Sequence, residues 1–145
     1  MALRSTRPRP ATQKSVSVFQ DRAERLRKGR ATAALLREVC PRATHIAVLL
    51  KFEAPPHADQ SFVLYPGARA YFGFPCPYGD CDGIYDLSHA AQSILLGTAL
   101  QATGILECSG VRSHHRVPRQ PCRLRVNYIV NAQRLPTASD VSRMT

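Results

Sequence analysis

What the chain lacks narrows its class first. No apolar run approaches the roughly 18 residues that a membrane-spanning helix needs. The opening MALRSTRPRPATQK carries positive charge with no apolar stretch behind it, so it does not read as a secretory leader. A cytoplasmic protein with no membrane role is therefore expected. Catalytic signatures are missing too: there is no Walker-type glycine loop, no G-x-S-x-G, no H-E-x-x-H and no H-x-E. No block repeats with a period of about 20 to 50 residues. Acidic residues are scarce, 10 against 20 basic ones, giving a formal net charge of +10. That balance favours partners that carry phosphate or acidic groups. Lysine supplies only 3 of the 20 basic residues, an arginine bias that GC-rich coding also produces without any selection for binding.

What remains is a chain of 145 residues, 44% apolar and 21% charged, within the range of one soluble domain that buries its own core. Residues 1–14 carry Arg4, Arg7, Arg9 and Lys14 with two prolines and no apolar period, which reads as a flexible basic arm. Residues 15–132 form the expected domain, and 133–145 a frayed tail. From about 18 to 39, Phe19, Ala23, Leu26, Ala33 or Ala34, Leu36 and Val39 recur at helical spacing. Gly29 is expected to weaken or split that helix, and Pro41 to end it.

THIAVLLKFEA, residues 44–54, reads as a buried strand, and residues 61–74 as two strand pieces about the turn signal Pro66-Gly67. LSHAAQSILLGTALQ places Leu87, Ala91, Ile94, Leu95 and Thr98 on one helical face, with Asp86 or Ser88 as N-cap and Gly104 beyond the far end. Two strands follow, 104–112 and 122–132, joined by the polar loop SHHRVPRQP. In the second, Leu124, Val126, Tyr128 and Val130 alternate with Arg123, Arg125, Asn127 and Ile129. The sum is an α+β fold, a mainly antiparallel sheet packed by two helices on one face, with a zinc-knuckle-like insertion.

The chemistry lies in the cysteines, Cys40, Cys76, Cys81, Cys108 and Cys122. Their number is odd and a reducing compartment is expected, so metal binding gains on disulfide pairing, although disulfides and plain buried thiols stay open as alternatives. Cys76 and Cys81 flank a tight Pro- and Gly-rich loop at C-x4-C spacing. Cys108 and Cys122 are brought together by the strand hairpin. CDG and CSG each set a glycine two residues after a cysteine, where a backbone N–H can turn toward sulfur. Four thiolates at one tetrahedral point suit Zn2+ in a closed, structural arrangement. Cys40 reads instead as a small buried hydrophobe.

FPCPYGDCDG, ECSG and PCRLRV resemble the halves of zinc-ribbon or zinc-knuckle modules, over roughly residues 72–126. A helix separates the halves here, and Cys108 and Cys122 lie far apart in sequence. The resemblance implies a metal and says little about function. His114 or His115, in the loop between the last two cysteines, could replace a thiolate ligand.

Pro75-Cys76 with Cys81 also resembles one half of the zinc-dependent deaminases, whose other half is H-x-E. His57-Ala58-Asp59 is the nearest substitute, and such a site leaves Cys108 and Cys122 without a purpose. A non-enzymatic module is therefore expected. Arg112, Arg116, Arg119, Arg123 and Arg125 crowd the second half of the cysteine site, and Tyr71, Phe72, Tyr78 and Tyr128 are rings that the fold could bring near them. Nucleic acid or a ribonucleoprotein is the expected partner, gripped at phosphates and stacked at unpaired bases. An acidic protein partner is the alternative. Asp80, Asp82 and Asp86 read as solvated turn residues more readily than as a cation site.

Overall fold

The computed structural model describes residues 11–53, 57–113 and 119–135, with side chains in the first helix from residue 20 onward. Residues 1–10 of the basic arm, residues 136–145 of the tail, and Arg116, His114 and His115 lie outside the described residues.

Helix α1 spans Ala11–Thr32 and the short α2 Leu36–Val39. α1 begins well before residue 18 and runs through Gly29 without a break. Gly29 is a contact position: a Cβ there would lie 2.5 Å from Cε2 of Tyr71, whose ring covers the helix at that point. The helix is also phased differently from the apolar pattern, since Arg22 and Leu26 are buried while Ala23 is exposed. Leu26 minus four is Arg22, so an arginine occupies a place in the inward stripe.

Four strands form the main sheet in the order β2-β1-β8-β5, every neighbouring pair antiparallel: β1 (Ala43–Phe52), β2 (Gln60–Leu64), β5 (Gln101–Glu107) and β8 (Arg125–Arg134). Ile46, Val48 and Leu50 of β1 alternate inward, as do Val126, Val130 and Ala132 of β8. They meet Leu36, Phe72, Phe74, Leu87, Ala91 and Ile94 in one core. The helices that contribute to this core, α2 and α3 (Ser88–Leu95), lie on that one face of the sheet.

Two small hairpins complete the described residues. β3 (Gly73–Pro75) pairs with β4 (Ile84–Asp86), and β6 (Val111–Arg112) with β7 (Gln120–Pro121). The turn at Pro66-Gly67 is present, but the chain after it does not return along β2. Its backbone joins the segment leading into α2: Leu36 N–H donates to Ala68 O at 2.8 Å and Ala70 N–H to Ala34 O at 2.7 Å. Only at Gly73 does it become a strand, and its partner there is β4.

α3 stops earlier than its apolar face suggests. Gly97 takes a left-handed φ of 82°, donating to Ile94 O at 3.1 Å while Thr98 N–H donates to Ser93 O at 2.9 Å. This glycine cap releases residues 101–107 to form β5. Gly104 lies within β5 under the ring of Tyr128. At the other end neither Asp86 nor Ser88 is the N-cap: that position is Leu87, which makes no side-chain cap bond, and the Asp86 carboxylate, one residue earlier, accepts the Ser88 N–H at 2.9 Å. The strand expected over 104–112 is divided. Cys108–Gly110 leave the ladder between β5 and β6, and Arg123, at φ 53°, marks the matching break between β7 and β8.

Candidate metal centre

Both small hairpins serve the cysteines. Cys76 follows β3 directly and Gly83 precedes β4, so the C-x4-C stretch is the loop of the first hairpin, closed by Cys76 N–H to Gly83 O at 3.1 Å. In the second, Gly110 precedes β6 and Cys122 follows β7, and Cys122 N–H donates to Gly110 O at 2.9 Å. Cys108 and Cys122 thus stand at a hairpin base, which is where the arrangement departs from a ribbon's second turn. The two halves still repeat one local device. Gly83 N–H points at Cys81 Sγ at 3.3 Å, and Gly110 N–H at Cys108 Sγ at 3.4 Å. These are the two C-x-G steps singled out in the sequence.

The four sulfurs converge. Sγ of Cys76 and Cys122 are 3.6 Å apart, as are those of Cys81 and Cys108, and all four lie within 4.8 Å of one another. Bonds of about 2.3 Å to a tetrahedral ion imply sulfur–sulfur edges of about 3.8 Å, which these spacings match. A disulfide needs about 2.05 Å, and none of the five cysteines is in one. Cys76, Cys81 and Cys108 are buried and Cys122 is half-buried. Among the described residues no histidine or carboxylate joins the cluster. Cys40 is remote from it, buried in the core with its sulfur 4.0 Å from Ile94 O.

The backbone leaves no slack around the sulfurs. A Cβ on Gly110 would meet the Gly83 backbone and come within 2.8 Å of Cys81 Sγ, and one on Gly83 would strike Cys108 Sγ. The sulfurs also perturb each other's protonation. Contacts with Cys108 and Cys76, reinforced by the Gly83 N–H, hold Cys81 far below the ordinary thiol range. The contacts with Cys108 and Cys81, together with burial, push Cys76 far above it. At Cys108 the contact with Cys76 lowers, but that with Cys81 and burial prevail, and the thiol is pushed up to about 12. Thiols crowded this closely resist ionising together, and a divalent cation among them would displace their protons.

The surrounding residues fix the loop from outside. Arg22, reaching in from α1, donates through Nη1 to the carbonyls of Cys76 at 3.0 Å, Tyr78 at 3.1 Å and Cys81 at 2.7 Å. Its positive charge is thereby buried against the backbone of the loop that carries Cys76 and Cys81, where it would offset the net charge of −2 that four thiolates and a divalent ion would leave. Arg25 donates to the Asp82 carbonyl. Tyr85 is buried with its hydroxyl on Leu124 O at 2.8 Å, and burial, then the charge of Cys76, Cys108 and Cys122, drives its phenol well above the usual range. None of these three was marked by the cysteine pattern. Arg22 stands one helical step before the buried Leu26, but its charge makes it read as an outward residue.

The acidic turn links the two hairpins. Asp82 Oδ1 accepts Val111 N–H at 2.7 Å, and Asp80 is 3.1 Å from Arg112 Nε. Arg112 also lies over the Tyr78 ring, 3.6 Å from its centroid, and His57 packs edge-on against the same ring, centroids 4.4 Å apart. His57 is therefore a packing partner of the loop and is not among the clustered ligand residues. Of the arginines expected to meet nucleic acid, Arg112 is turned inward to Asp80. Arg119 is exposed 3.9 Å from Asp82, Arg125 is exposed 3.7 Å from Glu53, and Arg123 is exposed.

Comparison with known families, with curated proteins and with solved structures finds no match to this chain. The geometry supports a small metal-binding domain of α+β fold. Among the described residues no helix is long and apolar enough to cross a membrane.

Proposed function

We propose that the cysteines hold a zinc ion as a structural centre, and that the protein works by binding rather than catalysis, with nucleic acid or a ribonucleoprotein as its partner. One observation carries the structural part: four thiols meet within 4.8 Å, which fills a tetrahedral shell and leaves no position for substrate. Cys76, Cys81, Cys108 and Cys122 would hold the ion. It would cross-link the two hairpins to each other and supply no reaction step. Thiolates favour a soft divalent cation over magnesium or calcium, which take oxygen ligands.

The binding part rests on charge and on where it sits. Arg25, Arg112 and Arg119 all reach the turn at residues 80–82, with Arg123 exposed on the same outer segment. The ion pairs of Arg119 and Arg125 are long and exposed, so phosphates could replace their carboxylates at little cost. Arg112 would act mainly as an anchor for Tyr78. The test is anisotropy of labelled single-stranded and duplex oligonucleotides with the zinc-loaded protein. Affinity should fall steeply between about 50 and 200 mM salt. Arg119→Ala with Arg123→Ala should weaken binding about tenfold while metal content stays constant. An acidic protein partner is the second reading, favoured by the same arginines, and an absence of oligonucleotide binding at low salt would leave it standing in place of the first.

A further inference from the structure

The sheet has a second face that the core does not use. On β1, β2, β5 and β8 the residues alternating with the core positions include Ala47, Leu49, Val63, Ile105 and Ile129. The pairing register brings them side by side: Val63 opposite Ala47, and Leu49 opposite Ile129. Val63 is 48% exposed and Ile105 51%, and Tyr65, just past β2, is 61%. The positions between them are amides and hydroxyls such as Asn127, Asn131 and Thr103.

Charge distinguishes this face from the rest of the molecule. In a chain of net charge +10, its charged residues, Lys51, Glu53, Glu107 and Arg125, balance and gather at one end, where Arg125 pairs with Glu53. A surface that meets phosphates would carry the reverse pattern, with cations across it. We infer that this face packs against the same face of a second copy of this chain, forming a two-sheet sandwich.

Self-complementarity and area both fit. A two-fold axis parallel to the strands sets β1 of each protomer over β8 of the other, so that Leu49 meets Ile129 and Glu53 meets Arg125. Four strands about 4.8 Å apart, over about seven residues of about 3.4 Å each, give a rectangle of roughly 450 Å² per protomer. Side-chain relief brings the pair to about 1,000 Å² buried, the lower bound for a specific interface. The dimer is therefore one that dissociates on dilution. Its interface shares Arg125 with the arginines proposed to meet phosphates, but the oligonucleotide test rests on Arg119 and Arg123 and the dimer test on Val63 and Ile105, so the two fail separately.

The experiment is light scattering after gel filtration, or sedimentation equilibrium, on the full zinc-loaded chain across a wide concentration range. The expected mass is that of two chains, falling to one on dilution. Val63→Glu and Ile105→Glu, both at exposed positions, should each weaken self-association by at least about tenfold. Leu96→Glu, an exposed apolar site outside this face, should leave it unchanged, and unaltered metal content certifies that each variant is folded. A one-chain mass at the highest concentration overturns the inference, whether the face is bare, covered by residues 1–10 or 136–145, or kept for another protein. A dimer insensitive to Val63→Glu and Ile105→Glu overturns it as well.

Discussion

Single residues carry much of the centre's precision. Gly110 and Gly83 approach so closely that an added methyl at Gly110 must push backbone or sulfur aside. Gly110→Ala should therefore cost about 2 kcal/mol of stability and lower metal retention, as overpacking against immovable neighbours does. Gly79→Ala, where the same methyl meets nothing within 4 Å, should leave both unchanged in thermal melts and metal analysis. Arg22→Ala strips a donor from three carbonyls around the C-x4-C loop and removes a buried positive charge beside the sulfurs. A loss of about 3 kcal/mol is expected, with faster metal loss to a chelator, and a melting temperature equal to that of the unaltered protein would refute the bracing role. The glycines were legible because each stands two residues after a cysteine. Arg22 was not, because a charged side chain in an amphipathic helix reads as outward, and only the carbonyls of a loop 54 to 59 residues away explain its burial.

At the scale of elements, the sequence marked the strands of the main sheet, the fold class and the converging cysteines, all of which express short-range pattern: alternation in β1 and β8, and thiols beside glycine. What it hid depends on contacts distant along the chain. Gly29 resembles a helix breaker until Tyr71 is found lying on it. Residues 67–72 resemble the return of a hairpin until α2 takes their hydrogen bonds. Gly97, a helix stop, was passed over in favour of Gly104 because the apolar face continues past it. The division into a stable sheet and two metal-linked hairpins gives its own prediction. Chelation should loosen residues 72–82 and 106–124 before β1 and the core of β8, read as faster hydrogen exchange, because the short ladders β3–β4 and β6–β7 have few bonds of their own. Uniform protection with and without chelator would contradict a centre that holds these hairpins. Cys81→Ser and Cys108→Ser should lose metal and melting temperature together, whereas Cys40→Ser, remote from the cluster, should keep its metal.

For the whole molecule, metal binding at the four cysteines would couple folding to protons. Contacts with the neighbouring sulfurs and burial make Cys76 and Cys108 hold their protons more tightly than free thiols do, while contacts with Cys108 and Cys76 shift Cys81 the other way. Binding of a divalent ion to four thiolates would release at least the protons of Cys76 and Cys108, so metal affinity should fall at least about a hundredfold for each unit of pH lost near neutrality. Stability contributed by the metal is thus present at neutral pH and lost as the solution is acidified. A competition titration with a chromophoric chelator at several pH values measures the slope, and a flat profile would mean that no thiol proton is displaced.

The most direct test is X-ray absorption at the zinc edge, with elemental analysis, on the purified protein. One zinc per chain, surrounded by four sulfurs at about 2.3 Å, is the expected result. A folded protein with four free thiols and no metal, or a shell completed by nitrogen or oxygen, would contradict the account.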